Sequence, residues 1–216
     1  MPKCLVLDLD GTISDSLPDI AGALNRSLAR HGKAALPLEQ VRPMVGDGVG
    51  VLFQRGYAAR GLVPSDQDMA EGLADYTAHS TDETYLYPGA LEALRTLKAA
   101  GWHLAVCTNK PGEAARILLD HLGVLPLLDA VGAGDSFAVR KPDPDHIRLT
   151  LHAAGATLEE AVMIGDHHND VAAGKGAGLP TIFAAWGYGP AEVGKTADAV
   201  ATRFADVPGL CAELRP

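Results

Sequence analysis

Two aspartate pairs, a Thr-Asn couplet and one lysine carry the chemical potential of this chain. Asp8 and Asp10 close a short apolar run, Cys4 to Leu7. In extended chain, residues two apart project to one side, so both carboxylates can face one crevice, and Gly11 then lets the backbone approach a ligand closely. Adjacent carboxylates repel unless a cation or a shared proton intervenes, which points to a divalent metal, with Mg2+ suited to an all-oxygen site. The alternative use of such residues is a helix N-cap or an Asx turn. Asp166 and Asp170 follow a second apolar run, Val162 to Ile164, through Gly165. One of them can complete a coordination sphere begun by Asp8 while the other orients a neighbour or a bound water, although helix N-termini also favour acids for capping. Thr108 and Asn109 end the run Leu104 to Cys107 and offer a hydroxyl and an amide to phosphoryl oxygens. Lys141 stands in Arg140-Lys141-Pro142-Asp143-Pro144, where the prolines stiffen the chain, and a fixed lysine there can balance negative charge.

These residues need a scaffold that brings strand ends together. Short apolar segments recur at Cys4–Leu7, His103–Cys107, Leu127–Val131, Val162–Ile164 and Thr181–Ala185. Helical patterns separate most of them, at Ala90–Ala100, Glu113–Leu122, Asp145–Ala154 and Asp170–Ala177. That alternation predicts an α/β fold with a Rossmann-like parallel sheet core flanked by helices. In such sheets ligands bind outside the carboxyl ends of the strands, where both aspartate pairs and the Thr-Asn couplet fall. Between Leu17 and Tyr87 the rhythm changes. A helix from Ser16 to about Gly32 is followed by helical stretches at Leu38–Met44, Val49–Arg60 and Asp66–His79, with no strand among them. An inserted all-helical cap domain over 17–86, on a core made of 1–16 and 87–216, is the economical arrangement.

Composition narrows the classes. Hydrophobic residues make up 47% of the 216, enough for a packed core rather than a disordered chain. A net charge of −9 argues against a nucleic-acid or anionic-membrane partner, so an anionic substrate would need local positive charge. The three cysteines, Cys4, Cys107 and Cys211, are widely spaced and form neither a disulfide framework nor a zinc knuckle; Cys107 reads as a packing residue. The opening lacks a signal-peptide pattern and no run is long enough to span a bilayer, which predicts a cytoplasmic location. The glycine triplets at Gly46/Gly48/Gly50 and Gly174/Gly176/Gly178 have the wrong spacing for a dinucleotide fingerprint. Nothing here fixes an oligomeric state.

Taken in order, the motifs resemble those of the haloacid dehalogenase superfamily of phosphohydrolases. Asp8-Leu9-Asp10-Gly11-Thr12 is similar to its first motif, Thr108-Asn109 to its second, Lys141-Pro142 to its third, and Gly165-Asp166 through Asp170 to its fourth. The segments Val45-Gly46-Asp47-Gly48, Tyr87-Pro88-Gly89, Thr108-Asn109-Lys110-Pro111 and Trp186-Gly187-Tyr188-Gly189 resemble phosphoglycolate phosphatases more narrowly. The resemblance implies Asp8 as nucleophile, Asp10 as the proton donor and acceptor whose backbone carbonyl also binds metal, and Mg2+ between Asp8 and Asp166 with Asp170 nearby. Lys141, Thr108, Asn109 and amides near Gly11 would hold phosphoryl oxygens. It further implies hydrolysis of a small phosphorylated metabolite, with 2-phosphoglycolate the preferred substrate. A sugar phosphomutase shares the aspartyl-phosphate and differs in the acceptor; a signalling receiver shares the phosphorylated aspartate without turnover.

Two features sit less squarely within the pattern. Where such phosphatases usually carry serine after the first aspartate of the fourth motif, this chain has His167, followed by His168. Mg2+ rarely takes imidazole, so these histidines are expected to face solvent or to support a ligand. In the insertion, Gly46, Gly48 and Arg55 are expected at the mouth of the site, with Arg55 a partner for a substrate carboxylate or, alternatively, an exposed helix arginine. Trp186 and Tyr188 are read as packing residues outside the site.

Overall fold

The computed structural model describes residues 2–215. The strands are β1 (Cys4–Leu7), β2 (Ser14–Asp15), β3 (Tyr85–Leu86), β4 (His103–Cys107), β5 (Ala130–Gly132), β6 (Ala161–Gly165), β7 (Thr181–Ala184) and β8 (Ala199–Ala201). The helices are α1 (Leu17–Arg30), α2 (Leu38–Val41), α3 (Val49–Ala58), α4 (Asp66–Ala78), α5 (Ala90–Ala99), α6 (Gly112–His121), α7 (Pro144–Ala153), α8 (His168–Ala177) and α9 (Val207–Leu214). Six strands form one parallel sheet in the order β5-β4-β1-β6-β7-β8.

The sequence of β1 explains its central position. All four residues are apolar and fully buried, as a strand covered on both faces requires. Leu5 and Leu7 join one core with Leu94 and Leu97 of α5, Leu118 of α6 and Cys211 of α9. Cys4 and Val6 point the other way, into a core with Ile147 and Leu151 of α7 and Ala173 and Ala177 of α8. Leu7 pairs with Val106 on one side and Ile164 on the other, so the carboxyl ends of β1, β4 and β6 lie flush. The ladder runs one step further, the Asp8 N–H donating to the Ile164 carbonyl at 3.0 Å. Chain order reverses about β1, and the crevice at such a reversal is where open α/β sheets bind ligands.

The helices of the 17–78 stretch bury their apolar faces largely against one another. Ile20, Leu24 and Leu28 of α1 recur at helical spacing and meet Leu52, Phe53 and Tyr57 of α3 and Tyr76 of α4 in one cluster. Pro18 sits in the first turn of α1, where it removes no helix hydrogen bond, and Ser65 with Asp68 forms a reciprocal capping box at the start of α4. The chain leaves and returns through the antiparallel ribbon β2–β3, pairing Ser14 with Leu86 and Asp15 with Tyr85. Buried Asp19 reinforces the return by accepting the N–H groups of Glu83 and Thr84 and the Thr84 hydroxyl.

Several elements differ from the sequence reading. The ribbon strand β3 lies in a stretch expected to hold no strand. The segment expected as Leu127–Val131 pairs only at Ala130–Gly132, because Leu125–Leu127 is a 3-10 turn built on Pro126. Leu38–Met44 likewise divides into α2 and a 3-10 turn containing Pro43. Neither β8 nor α9 was anticipated.

Candidate active site

The flush strand ends deliver the acidic residues to one place. Asp8, Asp166 and Asp170 are buried, and each offers a carboxylate oxygen lying within 4.8 Å of the others. Lys141, itself buried, donates from Nζ to Asp8 Oδ1 at 2.8 Å and to Asp170 Oδ1 at 2.6 Å. The lysine is placed through its backbone: its N–H donates to His146 Nδ1 at 3.1 Å, and its carbonyl accepts from Asn109 Nδ2 at 2.9 Å.

Asp166 is held on both oxygens. Thr12 Oγ1 donates to Oδ1 at 2.9 Å, while the backbone N–H groups of Tyr188 and Gly189 donate to Oδ2 at 2.7 and 3.3 Å. This requires the 187–189 segment to run against Asp166. A Cβ on Gly189 would stand 1.9 Å from the Asp166 carbonyl oxygen, and one on Gly187 would stand 2.2 Å from the Asp166 Cβ. Tyr188, expected to be packing only, therefore reaches the site through its main chain. Trp186 does pack, against Tyr87 and Phe204. Asp170 divides its two oxygens between the uses open to it in the sequence: Oδ1 meets Lys141, and Oδ2 accepts the His167 N–H at 2.8 Å as the helix cap of α8. His167 is half-buried at that cap and His168 is exposed.

Electrostatics decides what the cluster can hold. Burial pushes the Asp8 carboxyl up to about 8, with Asp170 and Asp166 adding to the rise and Lys141 opposing it. Burial and Asp170 push Asp166 up to about 7 against its hydrogen bonds. Burial opposes the Lys141 charge, but Asp170 and Asp8 outweigh it and hold the ammonium above the ordinary lysine range. With all three carboxylates ionised, one ammonium would leave two negative charges uncompensated, a surplus that a bound divalent cation would offset, and the donors are all oxygens, so the site matches Mg2+ in charge and ligand chemistry.

Asp10 stands apart from these three. Its Oδ1 accepts from Ser16 Oγ at 2.6 Å and from Lys110 Nζ at 3.1 Å. Both Asp8 and Asp10 line a cavity of about 40 Å³ whose wall also includes Thr108, Gly46 and Gly48. The two glycines have φ of +116° and +90°, a region disfavoured for other residues. Gly11, at φ +86°, turns the chain beside Asp166.

Two expected site residues have partners of their own. Asn109 lines the same cavity, and its amide donates to the backbone carbonyls of Gly46 and Lys141, both at 2.9 Å, so it ties the loop before α3 to the strand ends. Arg55 lies outside the cavity wall, about two-fifths exposed, with Nη2 2.6 Å from Asp47 Oδ2 and Nη1 donating to the Met44 carbonyl. Its charge is met by the Asp47 carboxylate. Conversely, the sequence reading gave Lys110 and Tyr76 no role, yet Lys110 is buried between Asp10 and the Tyr76 hydroxyl, 2.6 Å away. Its place two residues beyond Thr108, at a strand's carboxyl end, was the available signal. Cys107 is a buried thiol that burial pushes up to about 12, in keeping with packing.

Comparison with known proteins agrees with this geometry. The sequence profile of the haloacid dehalogenase-like hydrolases matches residues 2–178. A phosphoglycolate phosphatase of Rhodospirillum rubrum is 43% identical over 197 residues, covering 87% of this chain and 81% of the relative. Among solved structures, a predicted phosphoglycolate phosphatase from Haemophilus somnus superposes with a TM-score of 0.88 at 27% identity, over 97% of both chains. CbbY from Rhodobacter sphaeroides, crystallised as a mutant with xylulose-(1,5)bisphosphate, superposes with a TM-score of 0.86 at 27% identity, over 100% of both chains.

Proposed function

The chain belongs to the haloacid dehalogenase-like hydrolases and is a phosphoric monoester hydrolase; within that class we propose a Mg2+-dependent phosphatase that cleaves 2-phosphoglycolate through an aspartyl-phosphate on Asp8. The observation that carries this reading is the convergence of Asp8 with Asp166, Asp170 and Lys141 at the edge of a cavity that Asp10 also lines. A receiver domain is set aside by membership in an enzyme family, and Asp10 gives the site the second carboxylate that turnover needs.

In the proposed reaction an Asp8 oxygen attacks phosphorus in line with the leaving alkoxide, which suits a carboxylate because it is a nucleophile once ionised. Asp10, held by Ser16 and Lys110, gives a proton to the leaving oxygen and then takes one from the water that opens the acyl-phosphate. Lys141 neutralises charge on Asp8 and on phosphoryl oxygens brought beside it, and the Thr108 hydroxyl, on the cavity wall, donates to another. Asp8, Asp166 and the Asp10 backbone carbonyl would hold Mg2+, with Asp170 fixing Lys141 beside them; when bound, the ion supplies charge neutralisation and Lewis acidity. The inserted segment 17–86, helical except for its closing strand β3, serves as a cap that shields the reaction from water, since its residues Ile20, Val45, Val49 and Leu52 form the apolar side of the cavity. The substrate is a small phosphorylated metabolite; among the described residues no helix is long and apolar enough to cross a membrane.

The test is phosphate release from 2-phosphoglycolate by purified protein with Mg2+ and with chelator. Asp8→Asn should lower turnover by at least about 1000-fold, a loss of about 4 kcal/mol of transition-state stabilisation. Unchanged turnover in that variant removes Asp8 as nucleophile.

A further inference from the structure

The cavity beside Asp10 contains a charge to which the phosphoryl chemistry assigns no contact with the substrate. Lys110 is 3% exposed and lines the cavity, with Nζ 3.1 Å from Asp10 Oδ1 and 2.6 Å from the Tyr76 hydroxyl. The ammonium also stands 4.5 Å from the Tyr76 ring centroid. It lies on the side of Asp10, whereas Lys141 serves Asp8 and Asp170. Burial opposes its charge, but Asp10 and Tyr76 outweigh that effect and keep it an ammonium.

The rest of this part of the wall offers little to a polar leaving group. Ile20, Val45, Val49 and Leu52 present hydrocarbon, and Arg55, the other candidate cation, is turned outward onto Asp47. A polyol entering here would give up water for few partners, at a free-energy cost for each unpaired hydroxyl. An anionic group would have one cation to meet. An ammonium has three hydrogens, and Asp10 and Tyr76 take two.

Resting on the phosphatase reading above, we propose that Lys110 is the specificity-determining residue that binds a carboxylate borne directly by the phosphoester carbon, selecting short 2-phosphoryl carboxylates over neutral and polyhydroxylated esters. The placement follows from Asp10. The carboxyl that protonates the leaving oxygen must touch that oxygen, and Lys110 touches the same carboxyl. In a 2-phosphoryl carboxylate, the ester oxygen and the nearer carboxylate oxygen are three bonds apart, so both can be reached from one Asp10–Lys110 pair. The carboxylate carries its negative charge to a desolvated ammonium, and the Tyr76 hydroxyl supports it from the far side.

The experiment compares kcat/KM for 2-phosphoglycolate and ethyl phosphate, which differ in the carboxylate, in the wild-type protein and in Lys110→Met, with Mg2+ present throughout. The wild type should favour 2-phosphoglycolate by about 100-fold or more, as expected where a site is built around a substrate's polar group. Lys110→Met should lower this ratio by at least about 30-fold, chiefly through a raised KM for the carboxylate ester. A wild-type ratio near one overturns the assignment and leaves the phosphatase reading standing. An equal loss on both esters in Lys110→Met also overturns it, because the lysine would then act only by positioning Asp10. Absence of phosphate release from both esters and from p-nitrophenyl phosphate overturns the phosphatase reading instead. If Lys110→Met fails to fold, Lys110→Gln makes the same comparison, and a wild-type ratio near one overturns the assignment without any variant.

Discussion

Replacing Lys141 by methionine removes a buried ammonium from between two carboxylates and keeps most of the stem's volume. In the wild-type protein Nζ sits 2.8 Å from Asp8 and 2.6 Å from Asp170, with the lysine 3% exposed. Removing one partner of a buried pair costs about 3–5 kcal/mol, because an uncompensated charge is left behind. At about 2–4 °C per kcal/mol for a chain of this length, Lys141→Met should melt about 6–20 °C below wild type at pH 8 in chelator. The loss depends on pH, and its direction is fixed by the aspartates. The folded Asp8 carboxyl is raised to about 8, above its unfolded value, so the folded state holds the extra proton between the two and wild-type stability falls as pH rises through that window. Without Lys141 that rise is larger, so the variant should fall more steeply. At pH 5.5 Asp8 is protonated in both proteins and only the bond to Asp170 is lost, so the difference in melting temperature should shrink to about half. Differential scanning fluorimetry of both proteins at the two pH values measures this. Equal melting temperatures at pH 8, or a gap that widens on acidification, would refute the coupling between lysine and carboxylates.

Further expectations concern other parts of the site. Asp10→Asn should cut kcat for alkyl phosphates by about 100-fold or more but that for p-nitrophenyl phosphate much less, since a good leaving group needs no proton; steady-state kinetics on the two ester types checks it. Gly189→Ala places a methyl 1.9 Å from a backbone oxygen and must displace the segment that donates to Asp166, so half-maximal activation should need at least about 10-fold more Mg2+, read from a metal titration. Asn169 donates to Asp47 at 2.7 Å and to the Gly46 carbonyl at 3.3 Å, fastening the loop before α3 to α8. Asn169→Ala should weaken that hold by about 1–3 kcal/mol and increase amide hydrogen exchange across 44–49, measured by mass spectrometry.

The scaffold and the acidic cluster were legible because their signals are local. Cys4–Leu7 and Val162–Ile164 are unbroken apolar runs, and the residues just beyond them fall at one edge whatever the helices do. Elements without such signals escaped: β8 spans three residues with Val200 half exposed, and β2–β3 is a two-residue pairing across 70 positions of chain. Side-chain engagement was harder still. Arg55 is claimed by Asp47 only because a turn from Met44 to Gly48 brings the carboxylate over α3, and the Asn109 amide is claimed by carbonyls 63 and 32 residues away. Lys110 stands in the sequence only as part of Thr108-Asn109-Lys110-Pro111, with no role of its own; its burial depends on Asp10 and Tyr76, which the fold brings from 100 and 34 positions off.

The strand order β4-β1-β6 also governs when the protein can first act. A nascent chain that has made β1 and all the helices up to α4 owns Asp8 and Asp10 but not yet Lys141 or Asp166, and β1 remains an unflanked ribbon until distant segments dock along both its edges. Such pairings between remote segments form slowly relative to helices. The proposed site is therefore assembled only once β6 has docked against β1 and brought Asp166 and Asp170 to Asp8.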